Sequence, residues 1–384
     1  MYVEFVKIMK INRFLKSMLL ISTILISSCK TAEPEQAVIN CVFTVEPQTY
    51  ATINSELAFT DKSTITAGKI VSWSWNFGDG ITSTLKNPVH TFTIAKIYDV
   101  TLTVKDEQNN SKSYTKKMVL SNPNKGLRRI MYQTTDTVYV CAHRALHLTL
   151  SNDEYPENST TAINRSMANK IDMFECDVRN TADGVLVLMH DATVDRTTNG
   201  TGTLNKMNYS DIKNLKLKDP SGKLTNDTIP TIKQVLALSK NKIFIALDID
   251  GKAPVSNVLK MVQDMDMLDD VLFFTALQTD VGYLISNGAM AMPSCYNNST
   301  FGTYIQNNLK PLIFQTDKNG YSEEWVSMRT ANIKIYCNLY MLDPTLPTAD
   351  NWTQLNASIQ NGVNIVQTDY PIEMIDYLKS VHKH

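Results

Sequence analysis

Val138-Tyr139-Val140-Cys141-Ala142, a helical stretch at 162–169, and Met173-Phe174-Glu175-Cys176-Asp177-Val178 follow one another as apolar strand, amphipathic helix, apolar strand. The same alternation continues to the C-terminus. Strand-like runs recur at 185–189, 243–249, 271–275, 290–295, 311–315, 333–338 and 364–368, with helical stretches at 231–239, 255–265 and 372–381. Alternation sustained over about 250 residues implies a parallel sheet and favours a TIM-type (β/α)8 barrel. Nine strand-like runs are one too many for eight strands, so one is an accessory hairpin strand. The polar stretch 199–230 reads as an insertion after the third run.

Working back toward the N-terminus, Ser121-Asn122-Pro123-Asn124-Lys125-Gly126 has linker composition, and 122–137 is read as linker and approach to the barrel. Residues 41–121 show a different period. Ser55-Glu56-Leu57-Ala58-Phe59-Thr60, Val71-Ser72-Trp73-Ser74-Trp75-Asn76-Phe77 and Tyr98-Asp99-Val100-Thr101-Leu102-Thr103-Val104 alternate and are separated by turn residues, the pattern of a small antiparallel β-sandwich. Trp75-Asn76-Phe77-Gly78-Asp79-Gly80, then Asn87-Pro88-Val89-His90-Thr91-Phe92, resembles the PKD domain, an immunoglobulin-like module. Trp75 is the expected core aromatic, and Gly78-Asp79-Gly80 a tight turn demanding positive φ. The module carries no visible site chemistry. It reads as a spacer or as a binding module for a glycan or protein ligand.

The first residues are of another kind. Lys7, Lys10, Arg13 and Lys16 precede the apolar run Met18-Leu19-Leu20-Ile21-Ser22-Thr23-Ile24-Leu25-Ile26, too short to span a bilayer but suited to a signal-peptide core. Ile26-Ser27-Ser28-Cys29 resembles a bacterial lipobox, which implies a signal peptide over 1–28, lipidation of Cys29 and a tether over 29–40. Lys30 is not a retention aspartate, so the expected location is the outer membrane, facing periplasm or surface. Cys41, Cys141, Cys176, Cys295 and Cys337 match no disulfide or zinc spacing; the last four lie in apolar runs and read as buried small apolar residues. The chain has 37 basic and 38 acidic side chains and a formal net charge of −1, so charge offers no case for a nucleic-acid partner.

The chemistry-bearing residues sit at run ends. Glu175 and Asp177 alternate with Cys176 on one strand, so both carboxylates face the same side. Asp248, after the run 243–247, supplies a third oxygen. An all-carboxylate set suits one divalent cation, Mg2+ or Ca2+, better than zinc. His143 and His190 each end an apolar run, and imidazole titrates near the working pH of acid/base catalysis. Arg144 adds a fixed guanidinium for phosphate oxygens. No glycine-rich phosphate cradle or nucleophile elbow is present.

In this order Ala142-His143-Arg144, Pro156-Glu157-Asn158, Glu175 with Asp177, Asp183-Gly184, His190-Asp191, Arg196-Thr197-Thr198-Asn199-Gly200 and Gln367-Thr368-Asp369-Tyr370-Pro371 resemble the glycerophosphodiester phosphodiesterase family. The resemblance runs from Val138 to Lys383. It implies metal-dependent hydrolysis of a glycerophosphodiester to glycerol 3-phosphate and an alcohol, with His143 and His190 as acid and base in an order left open. Four positions depart from the family pattern. Ala145 replaces a glycine, Asp248 a glutamate, and Asp250 a phosphate-contacting lysine for which Lys252 is the expected substitute. Ile335-Tyr336-Cys337-Asn338 replaces a tryptophan-bearing segment on the alcohol side. Two other readings stay open. One is a phosphodiesterase for lysophospholipid, glycerophosphoinositol or a glycerophosphate polymer; the other is a non-catalytic ligand-binding lipoprotein.

Overall fold

The computed structural model describes residues 37–46, 51–148, 154–295, 297–307, 309–316, 323–339 and 349–384, so the signal peptide, Cys29 and most of the tether lie outside the described residues. Among the described residues no helix is long and apolar enough to cross a membrane.

The N-terminal module is built on two main antiparallel sheets, with a short antiparallel pair, Ile39–Asn40 and Thr64–Ile65, beside them. One holds Phe43–Glu46, Glu56–Asp61 and Val89–Thr91; the other holds Thr82–Ser83, Ile70–Asn76, Ile97–Asp106 and Ser111–Val119. Strand Ile97–Asp106 buries Tyr98, Val100, Leu102 and Val104 on alternate positions, as the period of two requires. Trp75 is fully buried, edge-on to Phe43 at 5.0 Å and to Phe59 at 5.7 Å. Gly78 has φ +80°, and a Cβ there would lie 2.9 Å from the Asp99 carbonyl oxygen, so the turn needs glycine as expected.

The barrel strands are β1 (Tyr139–Ala142), β2 (Met173–Asn180), β3 (Phe244–Asp248), β4 (Val271–Phe274), β5 (Met290–Met292), β6 (Ile313–Thr316), β7 (Lys334–Asn338) and β8 (Ile365–Thr368). Their order is β5-β4-β3-β2-β1-β8-β7-β6, all pairs are parallel, and a bridge from Ser294 to Gln315 joins β5 to β6. Cys141, Met173, Ala246, Leu272, Met290, Ile313, Tyr336 and Ile365 pack together inside the barrel. Their neighbours Val140, Phe174, Ile245, Phe273, Ala291, Phe314, Ile335 and Val366 pack outward against the helices. Both faces are covered, so the strands read as unbroken apolar runs.

The ninth run is Leu186–Leu188, antiparallel to the far end of β2 with Val178 opposite Leu188. The insertion 199–230 therefore follows the second barrel strand and its hairpin, and it builds a satellite core around Val194, Leu204, Ile212, Leu217 and Ile229. Inside the stretch read as linker and approach lies a helix, α1 (Gly126–Tyr132). Its Leu127, Ile130 and Met131 join the cluster that fills the barrel and close the N-terminal end of the strands. Arg128 is 2% exposed and donates from Nε to Asp269 at 2.7 Å. Val119 of the sandwich presses on Gly288 just before β5, so the module meets the barrel at that same end. All five described cysteines are buried. Cys141 faces the barrel interior and Cys176 the helices, which rules out a bridge between them.

Candidate active site

All the predicted site residues in the described region converge at the C-terminal ends of the barrel strands, where this architecture places its chemistry. A cavity of about 340 Å³ is lined by His143, Arg144, Glu175, Asp177, His190 and Asp248, together with Asp250, Phe274, Met292, Gln315, Asn338 and Gln367.

Register explains the carboxylate cluster. Asp177 lies opposite Asp248 across the β2–β3 ladder, and Glu175 lies two residues back on the same face. One oxygen from each of Glu175, Asp177 and Asp248 falls within 4.8 Å of the others, so the cluster could hold a divalent cation. Glu175 accepts the Arg144 backbone N–H at 2.9 Å. Asp177 accepts Asn158 Nδ2 at 2.9 Å, while its own N–H donates to Asn158 Oδ1 at 3.1 Å. Burial, then the charges of Asp177 and Asp248, pushes the Glu175 carboxyl well up. Burial alone would also raise Asp177, but Lys252 and His190 outweigh it and hold it below its ordinary value. Hard oxygen donors crowded out of water in this way fit Mg2+ or Ca2+.

Lys252 is not aimed at open cavity. A turn through Gly251 (φ +61°) folds it back over the end of β3, and its ammonium lies 2.5 Å from Asp177 Oδ1 and 2.5 Å from Asp248 Oδ2. Asp250, where the family has its lysine, stands in the cavity lining and accepts the Ala276 N–H at 2.8 Å.

Each histidine is oriented by a carboxylate. His143 Nδ1 lies 2.7 Å from Asp369 Oδ1, and His190 Nδ1 lies 2.7 Å from Asp191 Oδ1. In both rings Nε2 is the nitrogen not engaged by that carboxylate. Asp369 is 226 residues from His143 in sequence; the β1–β8 pairing that closes the barrel brings them together. Arg196 then ties the rim. It makes paired contacts to Asp191 (2.7 and 2.9 Å) and to Glu157 (2.9 and 2.7 Å), and Glu157 accepts Arg144 Nη1 at 3.1 Å. Burial pushes Glu157 up, but Arg196 and Arg144 outweigh it and leave it below the usual carboxylate range.

Glu157, Asn158, Asp191, Arg196 and Asp369 stand in the sequence as motif residues, and the fold gives them their site roles. His147 lies outside those motifs: it is buried beneath His143, with Nδ1 3.0 Å from the His143 carbonyl oxygen and Nε2 3.7 Å from Asp369. Its position four residues after His143 was the only available signal. Ala145, where the family has glycine, has φ 62°, and Arg144 before it has φ 49°. A left-handed alanine costs roughly 1–2 kcal/mol. The Ala145 N–H donates to the Glu175 carbonyl at 2.9 Å, and its methyl is buried in the outer core.

Residues 143–335, just over half the chain, match the Glycerophosphoryl diester phosphodiesterase family, and residues 42–121 match the PKD domain. Glycerophosphodiester phosphodiesterase 1 of Bos taurus is 31% identical over 190 residues, covering 48% of this chain and 47% of that protein. The glycerophosphodiester phosphodiesterase of Caldanaerobacter subterraneus subsp. tengcongensis is 39% identical over 107 residues, covering 28% and 42%. The matched segments thus span less than half the length of these curated relatives. Among solved structures, a glycerophosphoryl diester phosphodiesterase from Parabacteroides distasonis superposes with TM-score 0.59 at 23% identity, covering 67% of this chain and 93% of the other. An Oleispira antarctica phosphodiesterase in complex with the product sn-glycerol-3-phosphate superposes with TM-score 0.51 at 17% identity, covering 63% and 97%. At those identities the structures speak for the fold, and the family match speaks for descent: this chain belongs to the glycerophosphoryl diester phosphodiesterase family and carries a PKD domain ahead of its barrel.

Proposed function

We propose that the barrel hydrolyses glycerophosphodiesters to glycerol 3-phosphate and an alcohol. The observation that carries this reading is the convergence of two carboxylate-oriented histidines on one cavity with three clustered carboxylates. Glu175, Asp177 and Asp248 would hold one divalent cation, Mg2+ or Ca2+, which when bound would neutralise charge on the non-bridging phosphate oxygens. Of His143 and His190, one takes a proton from the attacking water as its oxygen bonds to phosphorus, and the other protonates the alkoxide that leaves as its P–O bond breaks. Asp369 and Asp191 hold the two rings in place for those transfers. The Arg144 guanidinium is fixed by Glu157, and its Nε is buried with no hydrogen-bond partner, a donor suited to a phosphate oxygen.

The amides of Gln315, Asn338 and Gln367 in the same lining favour a hydroxyl-rich alcohol, so glycerophosphoinositol or a glycerophosphate polymer is the second substrate reading. The first experiment measures glycerol 3-phosphate release from choline, ethanolamine and inositol diesters with Mg2+, Ca2+ or EDTA, beside His143→Ala. Turnover abolished by both EDTA and the substitution is the expected result. Absence of turnover with every diester and either cation would sink the enzyme reading in favour of a ligand-binding lipoprotein. Anchoring through lipid on Cys29, with an outer-membrane location and a glycan or protein ligand for the PKD domain, belongs to the same proposal. It is supported by the lipobox-like motif and is checked by loss of labelled fatty-acid incorporation in Cys29→Ala.

A further inference from the structure

We propose that Lys252 is a built-in counter-ion of the carboxylate cluster, whose ammonium holds the cation position until a divalent ion displaces it toward the cavity. The inference rests on the cation site proposed above but not on turnover.

The geometry is specific. The Lys252 ammonium touches two of the three clustered carboxylates at 2.5 Å each, and its side chain is only 12% exposed. A hard divalent cation bonds carboxylate oxygens at about 2.0–2.6 Å. A divalent ion held by Asp177 and Asp248 would draw on the same carboxylates as the ammonium, so the two compete for them. Without some positive charge, three buried or half-buried carboxylates within 4.8 Å would repel one another out of contact with solvent. Arg144 does not serve, because its Nε stands 3.9 Å from Asp177 and its guanidinium is committed to Glu157.

The chain around Lys252 is built for movement at one point only. Asp248 caps the turn by accepting the Asp250 N–H at 3.1 Å, and the Lys252 N–H donates to the Ile249 carbonyl at 3.1 Å. The backbone is thus pinned, while the four-carbon lysine stem retains its rotamers. Displaced from the carboxylates, the ammonium stays beside the same cavity, where a phosphate oxygen is the next available anion. This accounts for a lysine placed two residues beyond the family position. An ordinary structural ion pair offers no reason for the lysine to share its partners with a cation.

The test uses the full chain and reads cation binding by calorimetry in wild type and Lys252→Met. Mg2+ is expected to bind the variant at least tenfold more tightly, because no ammonium has to be expelled. The metal-free variant is expected to melt at lower temperature than wild type, with saturating Mg2+ closing most of the gap. A measurement on wild type alone guards against a variant that fails to fold. Lys252 acetylation by acetic anhydride, followed by mass spectrometry, should rise severalfold on adding Mg2+, whereas the exposed Lys260 should not respond. Unchanged or weaker Mg2+ affinity in the variant would overturn the proposal. So would Lys252 labelling indifferent to Mg2+, or wild-type protein and variant that both bind no cation. None of these results depends on whether a diester is cleaved.

Discussion

Replacing Asp369 by asparagine removes one charge and little else. The side chains of His143 and Asp369 are 13% and 17% exposed, and their 2.7 Å contact orients the ring whose other nitrogen serves the cavity. A hydrogen bond to a charged group of this kind contributes about 1.5–3 kcal/mol. At 1.36 kcal/mol per tenfold in rate, the loss in kcat is about 10–160-fold. Asparagine can still accept from Nδ1–H, but its amide can also donate, which would move the ring proton to Nε2 and push the loss toward the upper end. KM should change little, since Asp369 is not among the residues that line the cavity. The assay is steady-state release of glycerol 3-phosphate at saturating cation, with the melting temperature as control for folding. The decisive comparison repeats the substitution in a His143→Ala background, where it should cost less than about twofold because the residue acts only through the ring. A kcat within twofold of wild type, or an equal loss in both backgrounds, would refute the reasoning.

Two further substitutions test the frame that holds the site. Asp269→Ala leaves the Arg128 guanidinium, 2% exposed, without its carboxylate under the barrel; stranding a buried charge costs about 3–5 kcal/mol. At about 2–4 °C per kcal/mol for a domain of this size, the melting temperature should drop by about 6–20 °C, and adding Arg128→Met should recover most of it. A drop under about 2 °C would mean that α1 is not an energetic part of the barrel. Glu157→Gln tests the rim by pH. Because Arg196 and Arg144 hold the folded Glu157 pKa below its unfolded value, its contribution is present above about pH 4.3 and is lost as pH falls through the folded pKa. Wild type should therefore melt higher than the variant at pH 7, by an equivalent of about 1.5–3 kcal/mol at most, because Arg196 is half exposed. The two melting curves should converge in acid, and a gap independent of pH would count against the argument.

The barrel and the sandwich were legible because each leaves a one-dimensional trace. Strands covered on both faces give unbroken apolar runs such as Phe244-Ile245-Ala246-Leu247, and strands covered on one face alternate, as Tyr98-Asp99-Val100-Thr101-Leu102 does. His143, His190, Glu175, Asp177 and Asp248 could be picked out because polar side chains at the ends of such runs fall at one end of the sheet. Which run was supernumerary could not be read. Leu186-Val187-Leu188 is as apolar as a barrel strand because it too is covered on both faces, Leu186 and Leu188 by the main core under the helices and Val187 by the satellite core of the insertion. The helix Gly126–Tyr132 was hidden behind its linker-like flank, since its length is under two turns and its burial comes from the barrel above it.

Pairing was decided only in three dimensions. That Asp369 serves His143 depends on the last strand closing on the first, a contact between residues 226 positions apart that no local pattern encodes. That Lys252 enters the carboxylates depends on the rotation of one turn through Gly251. Strand end and residue type are properties of the chain. The partner of a charge is a property of the fold, because in a buried site it is set by whatever the backbone brings within a few ångströms of it.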